Sequence, residues 1–249
     1  MHAKTAMVTR ERADRILVAR GLFESRARAQ AAIAAGHVKA DGSLVRRPSD
    51  KISAAAAITA EVAHPYVSRG GVKLTAALDG FSLDIAGQIC LDVGSSTGGF
   101  TEVLLERGAR HVYAVDVGRD QLHARLCNHE RVSSIEQTDI RKLHSSLLLE
   151  LPDFAAIDVS FISLRLVLPH VSSLLKATAT LLALIKPQFE AGRRQIKKGV
   201  VRDPNVQAAI CEDIARFLAD LGWHVRGCIP SPILGGDGNR EFFIEGERG

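Results

Sequence analysis

The chain has one tryptophan, two tyrosines, two methionines and only 5% aromatic residues in 249. It has four cysteines, Cys90, Cys127, Cys211 and Cys228, with no C-x-x-C pair and no zinc-like spacing. A disulfide scaffold and a structural zinc module are therefore not expected, and free thiols suit a reducing cytosol. The nine histidines form no H-E-x-x-H or similar cluster, so no metal site is expected. No apolar run approaches the ~20 residues that span a bilayer. The opening Met1-His2-Ala3-Lys4 leads into charged sequence without an apolar core, so no signal peptide is expected. A cytoplasmic protein with no membrane partner follows as the expectation.

Positive charge is present but unevenly placed. The net charge is +4. Residues 1–60 carry eleven Lys or Arg against five Asp or Glu, giving +6, and the remainder is −2. A basic module joined to a nearly neutral body is the pattern of a nucleic-acid-binding attachment. Arg12, Arg15, Arg26, Arg28, Lys39, Arg46, Arg47 and, further on, Arg69 are the candidate phosphate contacts.

Within that module, residues 10–20 read as a helix ended by Gly21, and residues 26–35 as a second, with Ser25 as cap and Gly36 as stop. Asp41-Gly42 predicts a hairpin between residues 37–40 and 44–46. Residues 52–62 read as extended. The spacing thus predicts a domain over 1–62, a linker at 63–67 around Pro65, and a second domain over 68–249.

The second domain opens with a helix over 71–78. Strands then follow at 89–93, 111–116, 134–137, 154–159, 180–185, 223–229 and 241–244. Helices are predicted between them at 99–107, 121–128, 143–149, 164–175 and 204–221. Strand–helix alternation of this kind predicts an α/β domain whose parallel sheet is covered on both faces.

The loop after the first of these strands is the most informative stretch: Leu91-Asp92-Val93-Gly94-Ser95-Ser96-Thr97-Gly98-Gly99-Phe100. Ser96 stands where a dinucleotide fingerprint needs its second glycine, and Phe100 stands where a P-loop needs lysine. What remains, D-x-G-x-x-x-G, is the loop type associated with S-adenosylmethionine. Small residues there allow a ligand close to the backbone. Asp116 ends the second strand, where a carboxylate can accept from ribose hydroxyls. Asp139 follows the third, where an acid can hold an adenine amino group.

Asp158 ends the fourth strand in Asp158-Val159-Ser160-Phe161, and Lys186 ends the fifth in Lys186-Pro187-Gln188-Phe189. Lys73 precedes the sheet and Glu241 opens its last strand. Two amines and two acids suit methyl transfer to a ribose hydroxyl. That reaction is an in-line displacement needing alignment and a base. A partly desolvated amine beside another amine can accept a proton. The D/N-P-P-Y/F turn of amino-group methylases is missing after the fourth strand, and no cysteine follows the fourth or fifth strand to serve C5 methylation.

Seven stretches together resemble the TlyA (haemolysin-A-like) family, which is similar to the FtsJ-type 2′-O-methyltransferases. They are Ser68-Arg69-Gly70-Gly71-Val72-Lys73, the loop 91–100, Tyr113-Ala114-Val115-Asp116-Val117-Gly118, Asp158-Val159-Ser160-Phe161-Ile162-Ser163, Lys186-Pro187-Gln188-Phe189-Glu190, Gly199-Val200-Val201-Arg202-Asp203 and Ser231-Pro232-Ile233. The resemblance implies a Rossmann-like class I methyltransferase sheet preceded by a small α+β S4-like RNA-binding domain. Lys73, Asp158, Lys186 and Glu241 match its catalytic set. Gly94, Ser95, Ser96, Gly98, Phe100, Asp116, Asp139 and Asp158 match positions that hold S-adenosylmethionine. Ribosomal RNA, free or in ribosomal subunits, is the implied partner, and 2′-O-methylation of cytidine the implied reaction. A membrane-active haemolysin and a non-catalytic RNA-binding or ribosome-assembly factor are the alternatives. The intact loop and four intact polar positions weigh against the second alternative, and the lack of a spanning segment against the first.

Overall fold

The computed structural model describes residues 10–23, 25–34, 36–60 and 65–249. It divides into two compact units that meet in sequence at Pro65 and Tyr66.

The first unit contains β1 (Arg10–Arg12), α1 (Ala13–Ala19), α2 (Arg26–Ala34), β2 (Val38–Ala40), β3 (Ser43–Leu44), β4 (Lys51–Ser53) and β5 (Ile58–Ala60). Strand β1 pairs antiparallel with β4, and β3-β2-β5 form a three-stranded sheet. The first helix begins later than expected because Arg10–Arg12 pairs with β4 and the amide of Ala13 donates to Asp50 O. Asp41 and Gly42, at φ +49° and +76°, make the expected hairpin tip, and the returning strand stops at Leu44. The extended stretch is broken after Ser53, whose Oγ accepts from the amide of Ala55 in a local turn. Ile16, Leu17, Ala29, Ile33, Val38 and Ile52 form this unit's own small core.

The second unit contains α3 (Gly70–Phe81), β6 (Ile89–Val93), α4 (Gly99–Glu106), β7 (His111–Val115), α5 (Ala124–Cys127), β8 (Val132–Ile135), β9 (Phe154–Ile157), α6 (Leu164–Leu174), β10 (Ala179–Ile185), α7 (Pro187–Glu190), α8 (Pro204–Asp220), β11 (His224–Pro230) and β12 (Phe242–Arg248). The strand order is β11-β12-β10-β9-β6-β7-β8. Only β12 runs against its neighbours.

Side-chain alternation explains the two covered faces. Leu91, Val93, Ala155, Ile157, Leu181 and Ala183 face Val167, Val171, Ile210 and Ile214 of α6 and α8. Cys90, Val112, Ala114, Ala156 and Leu182 face Leu74, Leu78, Val103 and Leu104 of α3 and α4. The two central strands β6 and β9 are therefore apolar at every position except Asp92. The architecture is a Rossmann-like class I methyltransferase sheet, with a small α+β unit before it.

Two expected elements differ. Residues 143–149 form only a 3-10 turn, Ser145–Leu147, in place of a helix. Leu143 and Leu148 are buried while Leu147 and Leu149 are exposed, so no helical stripe exists there. The expected linker also ends early. Val67 is buried in the second core, and the hydroxyl of Thr75 donates to Tyr66 Oη over 2.8 Å. Residues 61–64 lie outside the described residues.

Strand order reverses on either side of β6, so the carboxyl ends of β6 and β9 form the switch point where open α/β sheets bind ligands. Because β12 is antiparallel, its amino end lies at this same edge.

Candidate active site

The glycine-rich loop leaves β6 at that edge. Gly94 has φ +84°, and a Cβ there would collide with the backbone carbonyl of Asp158. Gly98 caps α4 at φ +96°, and a Cβ would strike Leu126. Both positions demand glycine for conformation, and Gly94 also for packing, because what it faces is backbone. Asp116 holds the loop in place: its Oδ2 accepts from the Ser96 amide (2.8 Å) and its Oδ1 from the Gly118 amide (2.7 Å). Each oxygen keeps a further lone pair for another donor.

A cavity of about 230 Å³ opens beside the loop. Gly94, Ser95, Ser96, Phe100, Asp158, Lys73 and Arg69 line it, together with Ser68 and Gly70. Phe100 is buried and stacks on Phe243 with ring centroids 6.2 Å apart, so its ring packs the cavity wall. Gly98, Asp116 and Asp139 are not in the lining. Asp139 caps the 3-10 turn Ile140–Lys142 and is gripped by the Arg141 guanidinium, which holds its carboxyl down at about 2.

The four polar residues form two ion pairs. Lys73 Nζ lies 2.6 Å from Glu241 Oε2, at 7% and 3% exposure. Lys186 Nζ lies 2.6 Å from Asp158 Oδ1 and donates to Ser160 Oγ over 2.8 Å. Each pair places one member, Lys73 or Asp158, in the cavity wall. Four groups from α3, β9, β10 and the approach to β12 thus converge on one edge of the sheet.

Several neighbours escaped the sequence reading. Glu190 accepts from Ser163 Oγ (2.6 Å) and from the Leu164 amide (2.7 Å), tying the loop after β9 to α7. Phe161, on that loop, is 91% exposed at φ +64°, with its ring centroid 5.1 Å from that of Phe189. An exposed aromatic at a strained position cannot be read from motif spacing alone. Glu102, in the first turn of α4, accepts from the Val67 amide (2.5 Å) and pairs with Arg125.

Asp92 is fully buried, accepts from Thr101 Oγ1 over 2.6 Å, and has no partner for Oδ1 among the described residues. Burial, followed by the like charges of Asp158 and Asp116, pushes its carboxyl up to about 7.

In the first unit, Asp14 is fully buried and accepts from Arg12, Arg26 and Gln30. Two of the candidate phosphate contacts are therefore engaged in a structural clamp. Arg15, Lys39, Arg46 and Arg47 are exposed, Arg28 is half-buried, and Arg69 lies in the cavity wall of the second unit. Among the described residues, no helix is long and apolar enough to cross a membrane, and no group of three or more His, Cys, Asp or Glu could hold a metal.

A class I sheet with a glycine loop and paired lysine–acid groups at its switch point defines a methyltransferase. The chain belongs to the FtsJ-like methyltransferase family, whose model matches residues 66–248, and within it to the TlyA (haemolysin-A-like) proteins. The S4 domain model matches residues 11–58. The 16S/23S rRNA (cytidine-2′-O)-methyltransferase TlyA of Mycobacterium tuberculosis is 44% identical over 96% of this chain and 90% of its own. Hemolysin A of Brachyspira hyodysenteriae is 38% identical over 93% of this chain and 97% of its own. A solved structure of a Streptococcus thermophilus protein that carries the name hemolysin matches with a TM-score of 0.78 and 42% identity, covering 97% of this chain and 89% of that one.

Proposed function

We propose that this chain transfers a methyl group from S-adenosylmethionine to the 2′-hydroxyl of a cytidine in ribosomal RNA. The observation that carries the reading is the convergence of the Lys73–Glu241 and Lys186–Asp158 pairs on the cavity beside the glycine loop. The names of relatives similar over nearly the whole chain supply the substrate class. The fit to the cofactor rests on the two left-handed glycines, the small loop residues and the unfilled acceptor positions of Asp116.

When bound, the cofactor supplies an electrophilic methyl group on a sulfonium. Gly94, Ser95, Ser96 and Gly98 form the cradle, with Asp116 toward the ribose and Asp139 toward the adenine. Lys186 acts as the base from its neutral amine form, after its own proton has passed to Asp158 or to solvent: the amine then takes the proton of the attacking hydroxyl, and Asp158 and Ser160 aim it. Lys73, fixed by Glu241, shares in orienting the hydroxyl. Phe161 offers a face on which the base of the target nucleotide stacks, a mode that suits unpaired RNA. Residues 1–62 act as the RNA-gripping module through exposed Arg15, Lys39, Arg46 and Arg47, residues 63–65 connect, and residues 66–249 carry the chemistry. A ribosomal substrate puts this work in the cytoplasm.

The test is methyl transfer to purified ribosomal subunits, with nucleoside mass spectrometry as readout. Wild type is expected to yield 2′-O-methylcytidine. Lys186→Ala is expected to lose on the order of 10²–10⁴ in rate, with cofactor affinity by calorimetry near normal. Phe161→Ala is expected to raise KM for RNA more than it lowers kcat. A base-methylated product, or full activity in Lys186→Ala, would refute the reading.

A further inference from the structure

The segment between α7 and α8 contributes Gly199-Val200-Val201-Arg202-Asp203 to the family resemblance, but its cations are not among the candidate phosphate contacts named above. Residues 191–202 contain Arg193, Arg194, Lys197, Lys198 and Arg202 and no acidic residue. The side chains of Arg194, Lys197, Lys198 and Arg202 are exposed. Among the described residues none of these four is in an ion pair. A run of cations is most often a solvated face, but two features set this one apart.

The first is its shape. Lys197 and Val200 exchange backbone hydrogen bonds of 3.0 and 3.1 Å, closing a two-residue hairpin. Its tip, Lys198-Gly199, has φ +52° and +80°, the geometry of a type I′ turn that favours Asn-Gly. Lysine is a poor choice there for folding, since its Cβ crowds the left-handed backbone. A side chain held at a strained position points to use.

The second feature is its anchoring. Asn239 is fully buried, and its Oδ1 accepts from the Val201 amide (3.0 Å) while its Nδ2 donates to Gly199 O (2.9 Å). The Nε2 of Gln207, in α8, donates to Val201 O over 2.8 Å. Asn239 lies two residues before Glu241. At its other end the segment follows directly on Lys186 and α7. The cationic tip is thus fastened at both ends to segments that carry one member of each ion pair, Lys186 and Glu241.

We propose that residues 194–202 form a second phosphate-binding arm, in the catalytic unit itself, which grips the RNA backbone next to the target nucleotide. The proposal rests on the RNA substrate argued above and deepens it. Ammonium groups on a short anchored hairpin present point charges to phosphates, and neutralising phosphates releases counterions. The anchoring by Asn239 gives the arm a defined position relative to Glu241.

The test uses the full chain and purified ribosomal RNA, with dissociation constants measured from 50 to 200 mM salt. The variant is Lys197→Gln/Lys198→Asn. The second change creates the Asn-Gly pair that the turn prefers, so a lower melting temperature is not expected. The affinity should fall by about tenfold, and the log–log salt slope should flatten by about 1.5, for two lost phosphate contacts. Cofactor affinity should stay within twofold. If wild type binds RNA and the variant keeps both its affinity and its slope, the arm is overturned while the RNA reading stands. If wild type binds no RNA, both fall. Loss of binding to phosphatidylglycerol vesicles in the variant, with RNA affinity unchanged, would overturn the arm in favour of a membrane surface.

Discussion

Glu241 and Lys73 are far apart in sequence and almost fully desolvated together, and this makes their pair a test of the whole arrangement. Glu241→Ala removes a carboxylate 2.6 Å from the Lys73 ammonium and leaves that charge buried with no counterion. Breaking a buried pair from one side costs about 3–5 kcal/mol. For a unit of this size each kcal/mol corresponds to roughly 2–4 °C in Tm, so a fall of about 6–20 °C is expected. Lys73→Met should cost a similar amount by stranding the acid. The double variant Lys73→Met/Glu241→Leu removes both charges and fills the space with apolar side chains. It should recover to within ~1 kcal/mol of wild type, or exceed it. All three variants should lose methyl transfer. Urea unfolding followed by tryptophan fluorescence reads the catalytic unit alone, because the single tryptophan, Trp223, is buried there. A Glu241→Ala protein as stable as wild type would refute the burial argument. A double variant that still methylates RNA would refute the catalytic assignment of the pair.

Two further expectations use other parts of the site. A Cβ at Gly235 would collide with Glu241 Oε1, while its backbone φ is not in the left-handed region. Gly235→Ala should therefore lower kcat by about a hundredfold, the scale of a 1 Å misplacement, with an unchanged far-UV spectrum; wild-type kcat would count against the geometry. Asp92 holds its proton in the folded state up to about 7, against 3.8 as its ordinary value. Between those values the folded state binds a proton that the unfolded state has lost, so stability falls as pH rises through that window and levels off above it. Asp92→Asn should abolish that component and be more stable at pH 8 by up to about 4 kcal/mol. Urea midpoints from pH 4.5 to 8 decide it: parallel curves for the two proteins would sink the claim.

What could be read from the sequence was whatever local spacing controls. The strand β6, its glycine loop and helix α4 are signalled by an apolar run, two glycines and an amphipathic stretch, and the Asp41-Gly42 hairpin by its dipeptide. Pro204 opens α8 where its fixed φ suits a first turn, and Asp203 caps it by accepting from the Asn205 amide. Less legible were features decided by partners distant in sequence. The strand character of Arg10–Arg12 comes from β4, some forty residues later. Arg12 and Arg26 look like free cations until the buried Asp14 is seen between them. In the site, the residue types at positions 73, 158, 186 and 241 were readable, but their division into two pairs was not, because pairing depends on how α3 and β12 pack at the sheet edge. Phe161, Glu190 and Asn239 were hidden for the same reason: burial, exposure and φ are tertiary quantities.

The antiparallel course of β12 has a consequence for how the enzyme comes into being. Lys73 and Glu241 are separated by 168 residues, so during synthesis the lysine emerges long before its counterion exists. Until the closing hairpin is made, the interior site for that ammonium is one it cannot enter at low cost, and β10 lacks its neighbour on the side away from β9. A nascent chain therefore carries the glycine loop and three of the four polar groups without being able to close around them. Closure of the Lys73 site waits until β12 has been made, a safeguard for a protein whose proposed substrate is the machine that makes it.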